Sequence, residues 1–249
     1  MPSEYDVGQA FLPAAGLLAG SGVPETRPIH HCELIDLGPM AYAQAFELQR
    51  SLVDRRKRGE IADQLLIVEH PHVVTMGRNG RDENLLAPPE LLARAGIEFH
   101  RTDRGGDVTY HGPGQIVGYP IFDLREWKRD VVAYLRAVEQ ALIEALAEFG
   151  VAAERSPGAT GVWTVGPDGT LAKIAAIGVH ISRWVTSHGF ALNVDTDLSY
   201  FRYIVPCGLT RPVTSLRALG SQASRAQVVA ALARSFGRVF DRDFNLEKL

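Results

Sequence analysis

Short stretches of strand character come in clusters along this chain instead of alternating one by one with helices, and that limits the folds open to it. They run from Leu65 to Glu69, Val73 to Met76, Ile116 to Ile121, Val162 to Val165, Leu171 to Val179 and Phe190 to Val194. Pro167-Asp168-Gly169 separates the fourth from the fifth. Asp-Gly between apolar strand-like runs is a hairpin signal, so at least one antiparallel pair is expected. Clustered strands favour an α+β sheet with helices packed on it over a doubly wound parallel sheet.

Three segments carry helical periodicity. Ala41, Ala45, Leu48 and Leu52 recur at helical spacing, and the run ends in Arg55-Arg56-Lys57-Arg58-Gly59, basic residues and a glycine where a helix stops. A second helix is expected after Asp130, with Val131, Leu135, Val138, Leu142, Leu146 and Phe149 on one face and Gly150 at its end. A third opens with Ser224-Arg225-Ala226-Gln227, a capping-box pattern, continues through Val228, Leu232, Phe236 and Val239, and is expected to close the domain.

An apolar content of 46% in 249 residues is ample for a buried core. No solenoid-length repeat or long polar linker divides the string, so one domain from residue 29 to 249 is the economical division, with Gly220 as the alternative boundary. Residues 1–28 are rich in Ala, Gly and Pro without a sustained pattern and are expected to form a flexible extension. Charged residues amount to 22% and nearly cancel at a net charge of -3, which leaves no basic face for nucleic acid. The apolar stretch from Phe11 to Gly20 follows acidic residues and is too short to span a membrane. Only Cys32 and Cys207 are present, without a CxxC spacing, so neither a disulfide framework nor a cysteine zinc site is suggested and a reducing cytoplasm fits.

The chemistry concentrates in a few places. Arg104-Gly105-Gly106-Asp107-Val108-Thr109-Tyr110-His111-Gly112-Pro113-Gly114-Gln115 packs four glycines into twelve residues, a composition that lets backbone amides approach a ligand or simply makes turns. It matches neither GxxxxGK[ST] nor GxGxxG, so no nucleotide is implied. Cys207 sits between Pro206 and Gly208; alone, a cysteine is more often a small buried apolar residue than a nucleophile, and Cys32 has only that reading. Lys173 is surrounded by Leu171, Ala172, Ile174, Ala175, Ala176 and Ile177. Either it points to solvent from a half-buried strand, the usual case, or it is buried, where desolvation makes the neutral amine available as a base. His70-Pro71-His72 reads as a structural turn sooner than a metal site, since no acidic cluster accompanies it. The basic run from Arg55 to Arg58 would suit an acidic partner, although such a run is more often a solvated helix end.

Together these segments resemble the LipB family of octanoyl-carrier-protein to protein octanoyltransferases. The resemblance is carried by Arg104-Gly105-Gly106 through Thr109-Tyr110-His111-Gly112-Pro113-Gly114-Gln115, then Lys173 to Val179, His188-Gly189-Phe190-Ala191-Leu192-Asn193, and Pro206-Cys207-Gly208-Leu209; it extends over roughly residues 32 to 240. It implies the biotin and lipoate protein ligase fold, a single α+β domain with a mixed, largely antiparallel sheet. It further implies Cys207 as the acyl carrier, Lys173 beside it in proton transfer, and a substrate pocket from Arg104 to His111 (Arg104, Gly105, Gly106, Asp107, Val108, Thr109, Tyr110, His111) with Ala176, Ile177, Gly178, Gly189, Phe190 and Ala191. Tyr110 and His111 are expected to line or orient that pocket. No cofactor or metal is implied. The donor would be octanoyl-acyl carrier protein, and the acceptors apo-lipoyl domains of 2-oxoacid dehydrogenases and the glycine cleavage H protein. An adenylating ligase, a thioesterase and a non-catalytic acyl-protein binding module are the rival readings.

Overall fold

The computed structural model describes residues 30–205 and 211–244. The expected extension at residues 1–28 and the segment around Cys207 lie outside the described residues.

In chain order the elements are β1 (His30–Pro39), α1 (Tyr42–Lys57), β2 (Asp63–Glu69), β3 (Val73–Met76), α2 (Pro89–Arg94), β4 (Glu98–Arg101), β5 (Val108–His111), β6 (Gln115–Ile121), α3 (Val131–Ala147), β7 (Ala153–Ser156), β8 (Ala159–Val165), β9 (Leu171–Ser182), β10 (Val185–Asn193), α4 (Arg225–Phe240) and β11 (Arg242–Phe244). Eight strands form one sheet in the order β11-β1-β2-β6-β10-β9-β8-β7; β3 lies between β4 and β5 in a second, smaller sheet. The pairs β11–β1 and β1–β2 are parallel and the remaining pairs of the large sheet antiparallel. The architecture is therefore the α+β arrangement expected from the clustered strands, mixed and largely antiparallel.

The six strand stretches and three helices anticipated in the sequence are all present. Asp130 caps α3 by accepting from Ala133 N–H, and Ser224 with Gln227 completes the capping box of α4. Gly166-Pro167-Asp168-Gly169-Thr170 turns β8 into β9, with Asp168 accepting from the Thr170 amide and hydroxyl. Two expectations are corrected. Helix α4 does not close the domain, because β11 follows it and pairs with β1. Gly220 is no boundary either, since Val228, Leu232 and Phe236 of α4 share one core with Tyr134, Val138 and Leu142 of α3.

That core lies on one face of the large sheet, against Leu65, Ile116, Ile174 and Leu192. The opposite face packs Ala45, Leu52 and Val53 of α1 on Leu66, Val117 and Ile121. Beside α1 the same face is covered by the small sheet, which has its own core of Val74, Met76, Leu92, Ile97, Val108 and Tyr110. A groove is left between the two sheets.

The basic end of α1 supplies a structural joint through its buried Arg56. Arg56 is buried, donates through Nε to Asp63 Oδ1 at 2.8 Å, and pairs with Glu126 at 2.7 Å. Arg242 of β11 donates to Asp63 Oδ2 at 2.8 Å, and Asp63 Oδ1 also accepts from Asp123 N–H at 2.8 Å. Arg55 and Arg58 pair with Glu60, and Lys57 with Asp54. Removing the carboxylate of Asp63 would leave two guanidinium groups facing each other without water. An Asp63→Ala substitution is expected to destabilise the protein by about 3–5 kcal/mol, read as a lowered midpoint in urea unfolding.

Candidate functional site

Strict alternation along β9 would place Lys173 on the helix side of the sheet with Ala175 and Ile177. The pairing of β8 with β9 prevents this. Val162 lies opposite Ala175 and Trp163 opposite Lys173, so Ile174 is one residue too many on β9. Such a bulge re-aims the side chains on either side of it. Ile174 and Ala175 both enter the core under α3 and α4, whereas Lys173 and Ala176 both face the groove. Lys173 is only 7% exposed, which overturns the solvent-facing reading of its side chain. Its Nζ stands 4.8 Å from the centre of the Trp163 ring. Its stem lies over Gly161, where a Cβ would come within 3.4 Å of Cε and 2.7 Å of the Ala175 carbonyl. The backbone of Lys173 is fixed as well, donating to Pro212 O and accepting from Thr214 N–H, both at 2.9 Å.

From Lys173 the groove continues as a pocket with an empty volume of about 480 Å³. Its floor is the large sheet: Ala176 and Gly178 of β9, Ala191 and Gly189 of β10, and Val117 and Tyr119 of β6 stand in register across three strands. Small residues at the first four positions keep this floor low. Phe190 also borders the pocket, but its ring lies across Gly118 towards Phe236, where any Cβ at Gly118 would collide with it. Ile177 borders it in the same way while packing on the core beneath. The roof comes from Val108, Thr109 and His111 of β5 and from Arg104 and Gly106, with Tyr42 of α1 at the side.

The glycine-rich stretch thus divides between roof and scaffold. Gly105 N–H donates to Val179 O at 2.8 Å and seals the loop to β9. Gly106 takes φ +82°, a left-handed conformation open to glycine at little cost. Arg104 is buried and donates to Thr75 O at 2.7 Å and to Gly105 O at 3.0 Å. Asp107 accepts from the amides of Arg81 and Val108 and from the Asn84 side chain. Gly105 and Asp107 therefore border a wider cleft, of about 1580 Å³ and open to solvent, that leads to Lys173 between the glycine loop and the start of α3. Tyr110 departs from expectation: it is fully buried in the small sheet, shares a 2.7 Å hydrogen bond with His72 Nδ1 and stacks on Tyr200. β-strand alternation turns it away from the groove while His111 turns toward it.

A chain of amides fixes the His111 ring. Asn193 Nδ2 donates to Thr214 O, so its Oδ1 accepts from Gln115 Nε2; Gln115 Oε1 must then accept from His111 Nδ1, at 2.7 Å. His111 Nε2 is left as an acceptor. Burial pushes its pKa down to about 3, with His70 nearby adding to the effect. His70 donates to Met40 O and accepts from Tyr119 Oη, and burial lowers its pKa also. The two histidines of the His70-Pro71-His72 turn serve different partners, and among the described residues no group of three or more His, Cys, Asp or Glu is placed to hold a metal. At the far end His188 sits in β10 at φ +54°, its amide donating to Gln49 Oε1 and its Nε2 to Asp103 Oδ1 at 2.7 Å. That bond holds the Asp103 carboxyl at about 2.

Tyr42, Val117, Tyr119, Gly161 and Trp163 belong to the site without having been anticipated, because their places follow from strand register and a bulge, not from motif composition. Cys207 lies outside the described residues. On either side of its segment the chain is anchored: Val205 N–H donates to Asn84 O, Ile204 bridges Leu85, and Val213 pairs with Lys173.

Because His111 is held neutral when folded and titrates near 6.5 when unfolded, acid favours the unfolded chain. Its folded pKa being the lower, stability falls as pH drops from 6.5 towards 3. Between pH 6.5 and 5, His111→Asn is expected to lose roughly 1–2 kcal/mol less stability than the parent, in urea titrations at each pH.

The lipoyl protein ligase A/B catalytic domain model matches residues 41–237. The octanoyltransferase of Solibacter usitatus is 62% identical over 213 residues, covering 86% of this chain and 94% of that protein. That of Koribacter versatilis is 53% identical over 212 residues, covering 84% of each. Among solved structures, a bipartite lipoate protein ligase from Thermoplasma acidophilum superposes with a TM-score of 0.67 at 18% identity, over 87% of this chain and 85% of that one. A lipoate-protein ligase A bound with ATP gives 0.67 at 18%, over 86% and 87%. The shared fold and the sequence identity to the bacterial enzymes lead to one assignment: the chain belongs to the octanoyltransferases of the lipoyl protein ligase A/B catalytic-domain family.

Proposed function

We propose that the chain moves an octanoyl group from acyl carrier protein through a thioester on Cys207 to the target lysine of apo-lipoyl domains, those of 2-oxoacid dehydrogenases and of the glycine cleavage H protein, in the cytoplasm. The observation that carries this reading is a lysine buried where an open cleft meets a narrow apolar pocket.

In the first half-reaction the Cys207 sulfur attacks the thioester carbonyl of the donor and the carrier thiolate leaves. One thioester replaces another, so the exchange is nearly balanced and calls for no nucleotide. Lys173 takes the thiol proton and returns it to the departing sulfur; in the second half-reaction the target amine attacks the thioester carbonyl, the C–S bond to Cys207 breaks, and Lys173 passes the proton it accepts from the amine to the expelled Cys207 thiolate. A lysine in this setting suits both duties, because burial favours the neutral amine and the Trp163 ring favours the ammonium form. The pocket supplies binding: each methylene buried on the floor of Ala176 and Ala191 contributes about 0.8 kcal/mol. Burial keeps His111 neutral, so on this wall the apolar volume is bounded by a hydrogen-bonding but uncharged ring.

An adenylating ligase on the same fold is the alternative, prompted by the ATP-bound neighbour. Mixing the enzyme with octanoyl carrier protein, without ATP, is expected to give a hydroxylamine-sensitive octanoyl adduct by intact-protein mass spectrometry. Apo-lipoyl domain should discharge it, and Cys207→Ala and Lys173→Ala should not form it. Reaction only after addition of ATP and free octanoate would replace this reading with the ligase. Filling the floor tests the pocket separately: Ala191→Val is expected to lower activity with octanoyl donor at least tenfold while sparing a hexanoyl donor, in competition assays.

A further inference from the structure

Lys173 does not face an empty wall. Its direct cross-strand partner is Trp163, 1% exposed, whose ring centre is 4.8 Å from Lys173 Nζ. A second cation uses the same ring: Arg211 Cζ lies 5.3 Å from it, held there by Nη1 donating to Ser156 Oγ at 2.8 Å. An indole face carries negative potential and attracts a cation, the more so away from water. Arg211 keeps its charge throughout, whereas a buried lysine exchanges its own readily. The ring therefore favours a proton on Lys173 and the neighbouring guanidinium opposes it. Other charged groups around the amine are Asp107, Arg81 and Glu83 across the cleft, and Glu139, which accepts from Gly161 N–H under the lysine stem.

We propose that Trp163 and Arg211 are positioning residues that set the protonation of Lys173 from opposite sides: the indole face holds the ammonium form during proton transfer, and the guanidinium keeps that form from becoming permanent. The inference rests on the acid-base role of Lys173 proposed above. Neither residue touches the acyl chain; each acts through the lysine.

The test is the pH profile of acyl-enzyme formation for the full-length protein, with single-turnover rates read by mass spectrometry. Trp163→Leu is expected to move the limb governed by Lys173 to lower pH by roughly half a unit to one unit. Trp163→Phe, which keeps an aromatic face, should move it less, and Arg211→Gln should move it to higher pH. Shifts of opposite sign in folded variants are not produced by loosened packing. Equal losses of rate in all three with unmoved midpoints would overturn the proposal. Lys173→Gln separates the two levels: full activity in that variant would remove the acid-base role itself, whereas inactivity together with unmoved midpoints would remove only the part assigned to Trp163 and Arg211.

Discussion

The single extra residue on β9 governs the geometry of the site. Without Ile174 bulging between Val162 and Trp163, the side chain two places before Ala175 would share its face and Lys173 would be driven beneath α3 and α4. With it, the core keeps two consecutive apolar side chains and the groove receives an amine opposite an indole. One irregularity in hydrogen-bond register thereby satisfies a packing demand and a chemical one.

Around that amine the molecule ties down its charged and polar groups with internal partners. Permanent charges at the rim and in the Asp63 joint are paired, the Arg104 guanidinium in the roof is hydrogen-bonded to Thr75 and Gly105, and burial keeps the His111 and Tyr119 rings uncharged. An apolar chain entering such a pocket meets polar neighbours whose hydrogen bonds are already made within the protein. Fixing the His111 tautomer through Gln115 and Asn193 makes that wall rigid, since no ring there can turn without breaking a bond elsewhere.

Much of the fold could be read in advance where physical signals are local. Capping residues fixed the starts of α3 and α4, and Asp168-Gly169 located a hairpin. Strands whose partners supply the pattern were not visible: β1 is half exposed, β4 and β7 are short edge strands, and β5 was hidden inside a glycine-rich stretch. The same division holds at the site. Ala176, Gly178, Gly189 and Ala191 were recoverable through family resemblance, and the structure brings them together. Tyr110 lies in the core of the small sheet instead of lining the pocket, because a motif conveys neighbours in sequence and not which face of a strand each one takes. Arg56 in the basic run was likewise misread as solvated, since its carboxylate partners Asp63 and Glu126 lie on other elements.

The two walls of the groove differ in the entropy needed to build them. The floor around Lys173 comes chiefly from β8, β9 and β10, three strands joined by tight turns, so its contacts are local and close short loops. The roof requires β5 to find β3 across the intervening α2 and β4, and the small sheet to settle on the large one afterwards. The pocket is thus the seam between a cheaply closed meander and a more distant assembly. Ligand bound along that seam holds both together, and it stabilises the long-range half of the domain more than the local half.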